Sequence, residues 1–235
     1  MLSRVADNLY WMSRFIERAE SITRMVEVNQ SSSLECIEDS LSEFWDPVLK
    51  AICASEIFNE RTKIDIGQFL FFGSDFPNSV KNCFLYAREN ARMVRDQLSV
   101  EMWVELNNIY LFFQSGQAEA TFLQNPQEFF QKVIRFSLVF QGLSGATIPH
   151  DEGWRFMALG TYLERADQTS RMLDTLTFQK HEPTRLDLLA VLRSCVAQTA
   201  FRRQYKGELS MTNVADYLLF SRDFPRSIRF SIRCI

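Results

Sequence analysis

Histidine, proline and glycine are scarce in this chain, at 2, 6 and 8 of 235 residues. His150 and His181 offer little to a zinc site, and the five cysteines (Cys36, Cys53, Cys83, Cys195, Cys234) are scattered, with no Cys-x-x-Cys pair. Neither histidine stands three residues after a glutamate, which excludes a carboxylate-bridged di-iron bundle. No metal or other cofactor is expected, and the odd thiols read as free and reduced, the usual state in a cytoplasmic protein. Few glycines and prolines, and no alternating run of β-branched residues, exclude a sandwich or barrel. No apolar run approaches the roughly 20 residues that a membrane-spanning helix needs. Charges at Arg4 and Asp7 leave no room for a signal-type apolar block at the start. A net charge of −3 gives no footing for nucleic acid or a membrane surface. The phosphate loop G-x-x-x-x-G-K-[ST], the dinucleotide fingerprint G-x-G-x-x-G and the nucleophile elbow G-x-S-x-G are all absent.

What is present favours long helices joined by short connections, an all-α helical bundle with a phenylalanine-rich core (21 Phe). The pattern predicts a first helix over 4–29, ending in the polar run 30–33, and a second over 34–59 with Pro47 kinking or dividing it. A short helix over 65–72 leads to Asp75-Phe76-Pro77, with Pro77 in the first turn of a fourth helix reaching about Leu98. Ser99 is expected to cap a fifth helix running to Ser115, and Asn125-Pro126-Gln127-Glu128 to open a sixth. Gly142-Leu143-Ser144-Gly145 reads as a helix-ending loop. Thr184 and Asp187 mark a further helix start.

Three blocks recur in order at nearly one spacing: 14–27 with 161–174, 48–58 with 191–201, and 69–81 with 217–229. They share Glu-Arg-Ala, Val-Leu and Asp-Phe-Pro respectively. We read the chain as a tandem duplication, residues 1–148 forming a first helical repeat and 149–235 a second, packed together as one domain. The second repeat lacks a counterpart of 86–144, so a truncated copy, a fragment of a longer protein, is expected. Apolar surface left by such a cut is compatible with a homodimer.

Tyr10, Arg14, Glu17, Glu20 and Arg24 fall within about a third of a turn of one another on an otherwise apolar helix. The second repeat answers with Met157, Thr161, Glu164, Asp167 and Arg171. Two readings stand for the polar stripe of Arg14, Glu17, Glu20, Arg24, Glu164, Asp167 and Arg171. Spacings of three and four allow salt bridges along or between helices. Alternatively the stripe holds a ligand, or a buried glutamate serves as general base. Basic stripes are the candidate anion sites: Arg88 and Arg92, flanked by Lys81 and Arg95, and the ridge Arg222, Arg226, Arg229, Arg233. His150-Asp151-Glu152 could supply a base, or a first-turn acidic cluster suited to the helix dipole.

The opening run Met1-Leu2-Ser3-Arg4-Val5-Ala6-Asp7-Asn8-Leu9-Tyr10-Trp11-Met12, with Arg14 and Ile16-Glu17-Arg18-Ala19-Glu20, closely resembles the bacterial alpha-E family. So do Asp151-Glu152-Gly153-Trp154-Arg155-Phe156, Leu159-Gly160 and Tyr162-Leu163-Glu164-Arg165-Ala166-Asp167. The likeness runs on through both Asp-Phe-Pro segments, and departs at Ser13 and Thr161, where the pattern has glycine and arginine. The resemblance implies an all-helical partner of circularly permuted ATP-grasp ligases and transglutaminase-like proteins. That setting suggests amide-bond formation or peptide modification, with a peptide as a possible ligand. Three roles follow: accessory or substrate-binding partner of the ligase, autonomous peptide-modifying enzyme, or structural scaffold. In the first, Glu17 and Glu20 would receive an amine and Arg14 and Arg24 a carboxylate.

Overall fold

The computed structural model describes residues 1–33, 41–59, 65–178 and 182–235, and among these every regular element is helical. Cys36 and His181 lie outside the described residues. In chain order the helices are α1 (Ser3–Ser33), α2 (Leu41–Ala51), α3 (Ser55–Asn59), α4 (Ile66–Phe72), α5 (Val80–Met93), α6 (Val100–Gln114) and α7 (Gln117–Gln124). They continue with α8 (Pro126–Ala146), α9 (Glu152–Asp174), α10 (Arg185–Ser194), α11 (Gln198–Tyr205), α12 (Met211–Phe220) and α13 (Ile228–Cys234). The fold class is all-α.

The expected helix starts are realised where a side chain can satisfy orphan amides. Asn125 accepts from Glu128 N at 3.3 Å with Pro126 as first helical residue, and Ser99 accepts from Met102 N at 3.2 Å. Thr184 and Asp187 form a reciprocal capping box. Three expectations are corrected, and one stretch without an expectation proves helical. Pro47 sits inside α2 without dividing it. The first Asp-Phe-Pro is a turn, and Ser79, not Pro77, opens α5 by accepting from Asn82 N. Residues 142–145 continue α8 to Ala146 in place of a loop. The stretch after Ser115 forms α7, entered through Gly116 at φ 79°, a left-handed position that glycine occupies without strain.

Two compact units share the chain. The first comprises Met1–Thr23 and Asp65–Glu164, the second Arg24–Ile64 and Arg165–Ile235. The first unit holds α4 to α8, with α5 against α6 and α6 and α7 against α8. Its core is aromatic: Phe71, Phe72, Phe112, Phe113, Phe122 and Phe130 all approach the Phe129 ring within 6.4 Å. The second unit buries Trp45, Val48, Leu49, Met172, Leu192 and Phe201.

Matched segments of the sequence take the same local backbone. Phe76 stacks near Phe69 (5.1 Å) as Phe224 lies near Tyr217 (5.1 Å). Ser79 N donates to Phe76 O, and Ser227 N to Phe224 O, both at 2.9 Å. Two residues past the ends of α2 and α10, Cys53 (φ 56°) and Val196 (φ 55°) each sit in the left-handed region. Ala54 N reaches Leu49 O at 2.8 Å, and Ala197 N reaches Leu192 O at 2.7 Å, the six-to-one bond of a Schellman cap. A glycine would normally announce such a cap. Neither site has one, so these breaks carry no glycine signal in the sequence.

Candidate functional site

The first helix reaches α9 because Gly160 lets it. A Cβ at that position would stand 2.3 Å from the Tyr10 carbonyl oxygen and 3.2 Å from the Ser13 side chain. Backbone cannot yield as a side-chain tip can. Gly160→Ala is therefore expected to destabilise the protein by about 1–3 kcal/mol, read as a lowered urea midpoint. An unchanged midpoint would contradict the close approach.

One helical turn beyond Gly160, the carboxylate of Glu164 is fully buried, at 0% exposure. Arg14 Nε donates to its Oε2 at 2.6 Å. Arg18 grips it as a fork, Nε to Oε1 at 2.7 Å and Nη2 to Oε2 at 2.9 Å. This is the two-pronged geometry for which a guanidinium is preorganised. The remaining arms are also engaged: Arg18 Nη1 donates to Asn78 Oδ1 at 2.8 Å, and Arg14 Nη1 to the Tyr10 hydroxyl at 2.9 Å. Arg14 lies 5.3 Å from the Trp11 ring centroid and Arg18 5.7 Å from that of Phe15, within cation–π range.

Glu17 and Glu20 are buried on the same helix and face α8. Ser137 donates its hydroxyl to Glu20 Oε2 at 2.6 Å, while Gln141 Nε2 donates to Glu17 Oε2 at 2.9 Å and Glu20 Oε2 at 3.3 Å. Arg14 thus turns to Glu164, its spacing from Glu17 notwithstanding. The structure joins Arg14 with Glu164, and Glu17 with Glu20, into neighbouring polar clusters.

Arg24, half-buried, lies with Asp167 and Arg171 in the second unit. Arg171 pairs with Asp167 at 3.0 Å and donates to Ala51 O at 2.9 Å, capping the end of α2. Cys53 Sγ is 3.2 Å from the same guanidinium.

Of the basic candidates, Arg88 and Arg92 both close on Glu89, each at 2.7 Å. The hydrogen bond from Arg88 holds the Glu89 carboxyl below its usual range. Arg88 also lies 4.7 Å from the Tyr110 centroid. In the ridge, Arg226 is buried and its carbonyl accepts from Thr169 at 2.9 Å. Arg222 and Arg229 instead line a cavity of about 320 Å³ together with Arg233. His150 stacks on Trp154 at 4.1 Å, and Asp151 accepts from the amides of Gly153 and Trp154, a helix-start role. Burial pushes the Cys83 and Cys195 thiols up to about 12, which keeps them neutral and unreactive.

The sequence reading passed over Arg18, Asn78, Ser137 and Gln141. Arg18 follows Glu17 by one residue, about 100° around the helix and so off the stripe. Its long side chain reaches back across that angle. The repeated Glu-Arg dipeptide was the available signal. Ser137 and Gln141, four apart on α8, had none.

A further groove of about 700 Å³ runs between α6 and α8, lined by Glu105, Lys132 and Arg135 beside Phe112 and Phe136. Lys132 Nζ lies 3.8 Å from the Phe112 ring centroid. No helix among the described residues is long and apolar enough to cross a membrane.

Comparison with known proteins finds a family defined in part by Glu–Arg. Residues 1–235 match the Alpha-E family, described as "a predicted alpha-helical domain with a conserved ER motif". Glu17-Arg18 and Glu164-Arg165 are such pairs, and Arg18 of one grips Glu164 of the other. An uncharacterised protein of Mycobacterium bovis is 25% identical over 256 residues, covering 97% of this chain and 28% of that protein. An uncharacterised protein of Mycobacterium tuberculosis strain H37Rv is similar to the same extent, 25% over 256 residues with the same coverage. The chain therefore spans 28% of the length of these curated relatives. No solved structure matches. With the family model matching residues 1–235, the whole of the chain given, the chain belongs to the Alpha-E family.

Proposed function

We propose that this chain is a helical accessory module of an ATP-grasp amide ligase, one that holds the ligase or its peptide substrate and does no covalent chemistry itself. The observation that carries this reading is the state of Glu164: both carboxylate oxygens receive guanidinium donors, at 2.6, 2.7 and 2.9 Å. A general base needs an oxygen directed at substrate. This carboxylate is spent on fastening α1 to α9 within the first unit. The ligase as partner rests on the family resemblance, and the peptide on the α6–α8 groove. That groove offers both charge signs, Glu105 against Lys132 and Arg135, above the Phe112 and Phe136 rings.

Affinity capture of the full-length protein from its own cells tests the reading. Recovery of an ATP-grasp ligase or a transglutaminase-like protein is the expected result. A protein that comes away alone, yet turns over a peptide in purified form, would overturn it in favour of an autonomous enzyme.

A further inference from the structure

We propose that Arg222, Arg229 and Arg233 form a binding site for a small molecule bearing a diphosphate group, a site separate from the peptide groove. All three arginines are exposed and line a single cavity of about 320 Å³, with no carboxylate in its wall among the described residues. That volume is at the small end of ligand pockets, which run from roughly 300 to 1,000 Å³.

The grouping is built by the fold. Arg229 and Arg233 are four apart on α13, one above the other on the same face. Arg222 is brought to them by the turn that joins α12 to α13. There Ser227 Oγ donates to Ser221 O at 2.5 Å and accepts from Phe230 N at 3.0 Å, fixing the residue next to Arg222. Arg233 is steadied 5.5 Å from the Phe230 ring centroid. Arg226, the fourth residue of the ridge, is buried and absent from the wall. Asp223, although adjacent to Arg222, is exposed and also absent from it.

Like charges at i,i+4 repel, and a third guanidinium beside them adds to the cost. An anion removes it. Exposed Arg92, by comparison, has Glu89 beside it at 2.7 Å. The chemistry favours phosphate over carboxylate. A planar carboxylate has two oxygens for forked donors, whereas a diphosphate presents more terminal oxygens and more charge to three forks. The small volume of the cavity and the net charge of −3 favour a small molecule over a nucleic acid strand.

The test is calorimetric titration of the full-length protein with sodium pyrophosphate, and separately with citrate, at low and moderate salt. The expected result is saturable pyrophosphate binding that weakens with salt and exceeds that of citrate. Arg229→Ala and Arg233→Ala should each weaken it roughly ten- to a hundredfold, the value of a charge-assisted bond. Arg92→Ala should leave it unchanged. All three residues are exposed, so the variants should keep the parent's melting point, and melting curves verify this. Absence of saturable binding, equal affinity for citrate, or an affinity indifferent to Arg229→Ala and Arg233→Ala would each overturn the proposal.

Discussion

The Glu164→Gln variant is expected to melt about 6–12 °C below the parent protein. Glutamine keeps the shape of glutamate but removes its charge and turns one acceptor oxygen into an NH2 donor, so packing loss does not confuse the result. It leaves Arg14 and Arg18, whose side chains are each 16% exposed, gathered around a neutral group. Removing one partner of a buried pair costs about 3–5 kcal/mol, because the other charge stays desolvated. Partial exposure of the two arginines places the loss near the lower end, about 3 kcal/mol, and each kcal/mol moves the melting point of a domain this size by about 2–4 °C. Differential scanning calorimetry measures it. A shift below about 2 °C would mean that water already compensates the two guanidiniums.

A loss of comparable size is expected from Phe129→Ala, for a wholly different reason. Phe129 is 0% exposed, and its ring sits 4.8 Å from Phe71, 5.4 Å from Phe122 and 5.6 Å from Phe72, centroid to centroid. α4, α6, α7 and α8 all contribute rings to this cluster, so the side chain cannot be removed without leaving a void shared by four helices. Truncating a buried phenylalanine costs about 3–5 kcal/mol, the transfer loss plus the cavity. Phe220→Ala, 58% exposed, serves as the comparison and should change stability by no more than about 0.5 kcal/mol. If the two variants unfolded at the same urea concentration, Phe129 would not be the hub of the first unit.

The fold class was open to reading because it follows from averages: few glycines and prolines, no β-alternation, abundant phenylalanine. Helix starts were also legible where a short polar side chain precedes the helix, at Ser99, Asn125 and Thr184. Some helix ends were legible too, at Phe72 and Ser115, but two were not. Cys53 and Val196 adopt the left-handed conformation without a glycine, so the local sequence gives no cue. A β-branched valine there is a real outlier, and surrounding structure must hold it. At the polar site, helical periodicity picked out Arg14, Glu17, Glu20 and Glu164 and left pairing along a helix or between helices open; the structure pairs Arg14 with Glu164 across two helices. Further partners come from elsewhere in the chain: Ser137 and Gln141 for Glu20 and Glu17, and Asn78 for Arg18. Their distance in sequence hides them from any argument based on spacing. Arg18 was missed because periodicity follows the Cα–Cβ direction, and a side chain as long as arginine need not.

The account turns on whether the Arg18–Glu164 contact is an internal fastening. A double-mutant cycle of Arg18→Met and Glu164→Gln, with unfolding free energies from urea titration, tests that directly. Groups bonded at 2.7 and 2.9 Å should show a coupling of about 2 kcal/mol, the double variant being far less impaired than the sum of the single ones. Single variants as stable as the parent, with coupling within about 0.5 kcal/mol of zero, would contradict the fastening role. They would return Glu164 to consideration as a group kept for chemistry.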